Sequence, residues 1–231
     1  MKYYELLTTV FSKKDIDYQE INWRIGELIN QSMYFSEELK KFHKENKIKY
    51  YVFSGLSPIE KDKVYKRGRV YFFRLKSLNK SFIEEIKNNY NKINNDFFHI
   101  VSSEINVYQQ QFITSLYTLN ASISTLDGNK GYWKKEDGLE LIKERIKNNL
   151  LKKYENYFEE ELDLKDEFIE YIEVINKKPI VYKYKDFKVL GNKFNIKVGT
   201  SVESQKLAKL ANAVGILEKN SSLGGGYVIG K

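Results

Sequence analysis

The sequence predicts an α+β fold built from two tandem ferredoxin-like domains, a scaffold shared with RRM-like modules. Short runs rich in Ile, Val, Tyr and Phe are typical of strands, and apolar residues that recur every three or four positions indicate amphipathic helices. The order of these segments in the first half, βαββαβ, is repeated in the second half, and 231 residues are enough for two small domains with separate cores. The predicted domains are residues 1–112 and 117–231.

The first half opens on a strand and continues into a long amphipathic helix. Asp15 or Asp17 offers the helix N-cap. Apolar residues then recur at helical spacing, with a break expected near Ser32 or Ser36. The predicted elements are strand 2–11, helix 18–42, strands 50–55 and 70–75, helix 80–90 and an extended segment at 97–112.

The second half repeats this order. A strand-like segment at residues 116–126 is predicted to pair with residues 131–133 across the turn Asp127-Gly128-Asn129. Pro179 and Asp186 separate later strands. The remaining predicted elements are helix 136–158, strands within 168–174 and 180–198, helix 203–214 and strand 227–229.

Composition narrows the classes of function. The chain carries 39 basic and 31 acidic residues, a formal charge of +8, which favours nucleic acid, an anionic membrane or acidic partners. Almost all of the cations are lysines, a bias that an AT-rich genome produces, so part of the charge is open to a codon explanation. The absence of cysteine excludes disulfides and thiolate chemistry and suits a cytoplasmic protein.

No signal-peptide pattern and no apolar run of about 20 residues is present, so no membrane association is expected. Two histidines do not make an ordinary zinc site, and neither a metal nor a cofactor is predicted.

Glycines concentrate near the carboxyl terminus, where four of the chain's 13 fall within residues 215–226. Without a Cβ, such a segment can bring its amides close to an anion, with Lys219, Ser221 and Ser222 adding a cation and two hydroxyls. The alternative is that Gly215 caps a helix and the glycine triplet is a flexible turn. Glycine content alone leaves both interpretations open.

The two histidines lie in different surroundings. His99 is flanked by Phe98 and Ile100, which is typical of a packed or edge-strand residue. His43 follows the first helix in a polar, basic stretch, where an imidazole titrates near neutrality; a plain surface histidine is the alternative. Metal-free RNA cleavage needs a base, an acid and positive charge, and Tyr34, His43 and Lys49 offer that chemistry within sixteen residues.

With these residues in view, the chain resembles the Cas6 family, the CRISPR-associated endoribonucleases that cut repeat RNA into guide RNAs. A basic turn that leads into a strand, with Arg67 and Arg69, agrees with the family, and the glycine-rich segment is the specific part. Two departures occur there: Leu217 replaces a glycine, and Gly225 replaces an aromatic residue. The residues taken as RNA-binding are Gly215, Glu218, Lys219, Asn220, Ser221, Ser222, Gly224, Gly225, Gly226, Arg67 and Arg69.

The resemblance implies a metal-independent endoribonuclease that leaves a 5′-hydroxyl and a 2′,3′-cyclic phosphate. His43 would be general acid or base, Lys49 a charge stabiliser and Tyr34 an orienting hydroxyl, although the family's tyrosine spacing lands on Leu28. The implied partners are CRISPR repeat RNA with a short stem-loop and further CRISPR-associated subunits, with the protein a monomer or homodimer. Two alternatives stay open: a non-catalytic RNA-binding subunit of the same family, and a basic domain without a nucleic-acid role.

Overall fold

Two four-stranded antiparallel sheets with the same strand order form the framework of the computed structural model, which describes residues 1–126 and 131–231. In the first sheet the order is β3-β5-β1-β6, and the chain reaches it through the elements β1 (Lys2–Ser12), β2 (Ile16–Asp17), α1 (Ile21–Met33), α2 (Glu37–Lys44), β3 (Tyr51–Phe53), β4 (Val64–Tyr65), β5 (Val70–Ser77), α3 (Lys80–Asn89) and β6 (Phe98–Gln109). The short strands β2 and β4 pair with each other outside the sheet.

The second sheet has the order β12-β7-β11-β8. Its half of the chain contains the elements β7 (Ser115–Thr118), α4 (Leu139–Phe158), β8 (Ile169–Val174), β9 (Ile180–Tyr184), β10 (Phe187–Gly191), β11 (Phe194–Val198), α5 (Val202–Val214), α6 (Asn220–Leu223) and β12 (Val228–Gly230). A hairpin of β9 and β10 is inserted between the second and third strands of the repeat. Both sheets have the strand order of a ferredoxin-like fold, so the predicted α+β tandem fold is confirmed.

The predicted helix over residues 18–42 is two helices, and the break lies at one of the two predicted serines. Ser36 adopts an extended conformation and its hydroxyl accepts a hydrogen bond from the Leu39 amide, so it caps α2. On α1, the face that carries Ile25, Leu28 and Ile29 is fully buried in the core of the first domain. The sequence therefore encodes both the amphipathic face and the stop.

The predicted strand over residues 116–126 is shorter in the structure. β7 ends at Thr118, and Asn120 then turns toward the first domain, where its amide group donates to the Phe53 and Gly224 carbonyls at 2.9 and 2.7 Å. The side chain thus satisfies main-chain groups of two other segments, which ends the regular strand. The turn predicted at residues 127–129 lies outside the described residues, although Thr125 and Tyr132 on its flanks form an antiparallel bridge.

The two halves share a buried polar contact. Lys76 of β5 is buried and donates to the Asn212 side chain and main-chain oxygens and to the Val228 carbonyl, each at 3.2 Å. β6 ends at Gln109 and β7 begins at Ser115, and the domain boundaries 1–112 and 117–231 stay a prediction. None of the helices within residues 1–126 and 131–231 has the length and hydrophobicity that crossing a membrane requires.

Candidate functional site

Tyr34, His43 and Lys49 come together at the carboxyl ends of α1 and α2. Tyr34 is the C-cap of α1 and His43 lies in the last turn of α2, so the turn at Ser36 brings their ring centroids to 6.1 Å. The Lys49 ammonium donates to the His43 carbonyl at 3.2 Å. The structure therefore converts proximity in sequence into proximity in space.

The surroundings of His43 favour its neutral form. The imidazole is half-buried, and burial followed by the positive charge of Lys49 lowers its pKa below the ordinary value. Tyr34 is 54% exposed, so the site is open to solvent on that side. A neutral, accessible imidazole at pH 7 can accept a proton from a hydroxyl.

Lys49 holds the end of α2. Its ammonium donates to the carbonyls of Phe42, His43 and Glu45, the last at 3.0 Å, and it lies 4.4 Å from the Phe42 ring centroid. These carbonyls carry the negative end of the helix dipole, where a cation is favourable. Burial lowers the pKa of Lys49, and the nearby Glu45 carboxylate opposes this. The same lysine thus orders the turn that carries His43.

A series of aromatic rings connects this turn to the glycine-rich segment. Phe42 packs on Phe82 with centroids 5.8 Å apart, and Phe82 stacks on Tyr51 at 4.8 Å. Burial raises the pKa of Tyr51, and the Ser221 side chain in the glycine-rich segment opposes this. The candidate catalytic turn and the glycine-rich segment are therefore joined by packed side chains.

The glycines of the 215–226 segment are packed against neighbouring backbone. Gly215 is the C-cap of α5 with φ 80°, which agrees with the helix-cap interpretation. A Cβ on Gly224 would lie 2.2 Å from the Phe53 carbonyl oxygen, and one on Gly226 would lie 2.0 Å from that of Ile216. Gly224 and Gly226 also have positive φ, so both the backbone conformation and the close contacts favour glycine at these two positions. Because Gly224, Gly225 and Gly226 are buried, their first role is close packing, which for Gly224 is against β3 of the first half and for the other two is within the second half.

The exposed part of the segment is small and polar. Lys219 is exposed, and Ser221 and Ser222 are half-buried. Glu218 is held away from a ligand role, because its carboxylate accepts from the Thr125 hydroxyl at 2.6 Å and from the Thr125 amide at 3.2 Å, with Arg145 at 3.7 Å. A nucleic-acid strand would therefore meet one ammonium and two serines here.

A buried lysine, not anticipated from the sequence, fixes the shape of the segment. The Lys153 ammonium donates to the Gly215 and Leu217 carbonyls at 2.9 and 3.2 Å and to Asn220 Oδ1 at 2.8 Å. Asn220 Nδ2 in turn donates to the Ile216 and Gly225 carbonyls. Burial lowers the pKa of Lys153 to about 7. Its one sequence signal is its place on the apolar face of α4, one turn after Leu150.

Arg67 and Arg69 are remote from His43. In the first sheet, Ser77 of β5 pairs with Tyr51 on one side and with Tyr4 on the other, so the series of aromatic rings lies beside the start of β1. The Arg69 carbonyl accepts a hydrogen bond from the Ser12 amide, which lies at the opposite end of β1. The eight residues between these ends span about 26 Å at roughly 3.3 Å per residue. Arg67 is exposed, and Arg69 Nη1 donates to both carboxylate oxygens of Glu60, at 2.8 and 3.0 Å.

Among the residues that the structure describes, no three histidine or carboxylate side chains lie close enough together to hold a metal ion. Arg67 and Arg69 lie apart from the group formed by Tyr34, His43 and Lys49.

Comparison with known proteins agrees with this architecture. The family described as CRISPR associated protein Cas6, C-terminal, matches residues 118–228. No curated protein matches the chain.

Solved structures match over the full length. A RAMP protein described as binding different RNA substrates is 17% identical, with 99% of each chain covered and a TM-score of 0.75. A Cas6-related protein from Pyrococcus furiosus is 20% identical, with 98% of each chain covered and a TM-score of 0.73. A Cas6 product complex is 12% identical, with 99% of each chain covered and a TM-score of 0.63. The second half of the chain therefore matches the Cas6 C-terminal family, and the whole chain shares the fold of these solved structures.

Proposed function

We propose that this protein is a metal-independent endoribonuclease that cleaves CRISPR repeat RNA into guide RNAs. The observation that carries the proposal is the convergence of Tyr34, His43 and Lys49 at the ends of α1 and α2. The family match over residues 118–228 supports the substrate class, and proteins of the same fold include a Cas6 product complex and a RAMP protein that binds RNA.

The reaction is attack of a 2′-hydroxyl on the adjacent phosphorus. The 2′-oxygen forms a bond to phosphorus, the bond to the 5′-oxygen breaks, and the products are a 2′,3′-cyclic phosphate and a 5′-hydroxyl. His43, held neutral near pH 7, takes the 2′-hydroxyl proton or, once protonated, gives one to the leaving oxygen. Lys49 places positive charge beside the imidazole, and the Tyr34 hydroxyl orients the phosphate.

RNA binding draws on the net charge of +8 and on the exposed polar groups of the glycine-rich segment. Lys219, Ser221 and Ser222 contact the backbone there, while the buried glycines and Asn220 give the segment its shape. Arg67 and Arg69 hold a more distant part of the repeat. Phosphate contacts of this kind fix register, while base contacts select sequence.

A second candidate is a non-catalytic member of the family that retains guide RNA. Two observations favour it. The family's tyrosine spacing falls on Leu28, which is fully buried in the core and has no hydroxyl. The Lys49 ammonium is already bonded to helix carbonyls, so part of its charge is committed to structure.

Incubation with the cognate repeat RNA in EDTA separates the candidates. Wild type should cleave at one phosphodiester, and His43→Ala should lose two to four orders of magnitude in rate while it still binds. The matched control is His99→Ala, which removes the exposed histidine of β6 and should cleave normally. Tight binding without cleavage by wild type would support the non-catalytic candidate and refute the catalytic one.

A further inference from the structure

A basic cleft lies between the two halves of the chain near the amino-terminal end of α1. It has a volume of about 560 Å³, and Tyr18, Lys63, Lys178 and Lys193 are among its lining residues. A smaller cleft shares Tyr18 and Lys193 with it and extends to Asn120, the residue that holds the Gly224 carbonyl. The two clefts thus lead from the surface toward the underside of the glycine-rich segment.

The carboxylates that line the cleft are already engaged. Asp62 pairs with Lys66 and accepts from the Val64 amide, and Asp17 accepts from the Gln19 amide at 2.7 Å. Within residues 1–126 and 131–231, by contrast, the ammonium groups of Lys178 and Lys193 form no hydrogen bond or ion pair. Three lysines and two aspartates line the cleft, so its lining carries a surplus of positive charge.

Lys193 is held at a cost in stability. It is half-buried, and burial followed by the charge of Lys63 lowers its pKa. Lys63 itself lies over the Tyr18 ring, 6.0 Å from the centroid, with φ 58°. Lys63 and Lys193 line the same cleft, and a bound anion would offset the repulsion between their charges.

We propose that Lys63 and Lys193 form a phosphate subsite that holds the RNA backbone at a distance from the cut. The proposal rests on the proposed function, because it takes the anion to be a phosphodiester of the bound repeat. The twelve residues of α1 from Asn22, which lines the smaller cleft, to Tyr34 span about 18 Å at 1.5 Å per residue. A strand that runs along this helix would be anchored by the lysines at one end and cut beside His43 at the other.

The test is the salt dependence of binding to a fluorescently labelled single-stranded repeat RNA. Each single-strand phosphate contact contributes about 0.7 to the slope of log K against log salt, so Lys63→Gln/Lys193→Gln should lower the slope by about 1.4. The matched control is Lys152→Gln/Lys165→Gln, which removes two exposed lysines of the second domain and should leave the slope unchanged. Equal slopes for wild type and the cleft variant would overturn the subsite.

Thermal melting of free Lys193→Met gives an independent readout. Removal of a charge that only an anion would compensate should raise the melting temperature, by about 2 °C. A lower melting temperature with RNA binding unchanged would assign Lys193 a structural role and overturn the proposal. Inorganic phosphate at 50 mM as competitor, matched to chloride at about the same ionic strength, should weaken RNA binding less than twofold if the subsite needs a phosphodiester chain. Full competition would make it a free-phosphate site and overturn the RNA assignment.

The two proposals fail in different ways. If wild type binds and cleaves the repeat but the cleft variant keeps the wild-type slope, the subsite is wrong and the endoribonuclease proposal stands. If wild type binds the repeat no better than a scrambled RNA of the same length, the proposed function fails and the subsite fails with it.

Discussion

Replacement of Lys153 by Met should uncouple the glycine-rich segment from α4. The ammonium makes three hydrogen bonds to this segment, to Gly215, Leu217 and Asn220. At pH 8.5 the group is a neutral amine with two N–H donors, so at roughly 1.3 kcal/mol net for each of two bonds their loss costs about 3 kcal/mol. The methionine fills most of the volume, so the cost comes from buried acceptors that lose their donor.

The cost should depend on pH in a defined direction. The pKa of Lys153 is about 7 in the folded protein and near its ordinary value in the unfolded chain, so the unfolded chain binds more protons between pH 7 and 10. Wild-type stability therefore gains roughly 1 kcal/mol for each pH unit in this window relative to the variant. The difference in unfolding free energy between the two proteins should fall from about 3 kcal/mol at pH 8.5 to about 1.5 kcal/mol at pH 7.

Guanidinium unfolding followed by circular dichroism at pH 7, 7.75 and 8.5 measures this difference. Lys152→Met is the matched control, because Lys152 is the exposed neighbour on the same helix and should change stability by less than about 0.5 kcal/mol. Curves for wild type and Lys153→Met that stay parallel across this pH range would refute a buried, proton-releasing lysine under the segment.

Two further predictions concern the packing of Gly224 and the pKa of His43. Gly224→Ala should destabilise the protein by about 3 kcal/mol or more, because its methyl would meet the β3 backbone at 2.2 Å. The control Gly68→Ala, also at positive φ but in open space, should cost about 1 kcal/mol. Equal losses of stability in thermal unfolding of the two variants would contradict the packing argument. Lys49→Gln should raise the pKa of His43, since a neighbouring cation is removed, and NMR titration of the imidazole, with the His99 resonance as internal reference, would expose the opposite or no shift as a contradiction.

Most helices and strands could be predicted from the sequence because the signals for them are local. Serine is a preferred N-cap residue, as Ser36 is for α2. Ile25 and Ile29 recur at the spacing that places apolar side chains on one buried face of a helix. The early end of β7 was not predictable, since it follows from the bonds of Asn120 to residues 67 and 104 positions away.

The candidate site divides in the same way. The convergence of Tyr34, His43 and Lys49 depends on one helix break and was within reach of the sequence. The environment of Lys153 could not be predicted, because the residues around a lysine on an apolar helix face do not reveal its distant hydrogen-bond partners, here the Gly215 carbonyl. The place of Lys193 in a basic cleft likewise could not be predicted, because the fold forms that cleft between the second half of the chain and the start of α1.

A repeat RNA with a single 2′-deoxy substitution at the cut nucleotide tests the central claim most directly. If His43 promotes attack by the 2′-hydroxyl, this RNA should bind with unchanged affinity and stay intact in EDTA, while the all-ribose RNA gives one product that ends in a 2′,3′-cyclic phosphate. Cleavage of the deoxy-substituted RNA at the same phosphodiester would contradict the account, because it would require an external nucleophile.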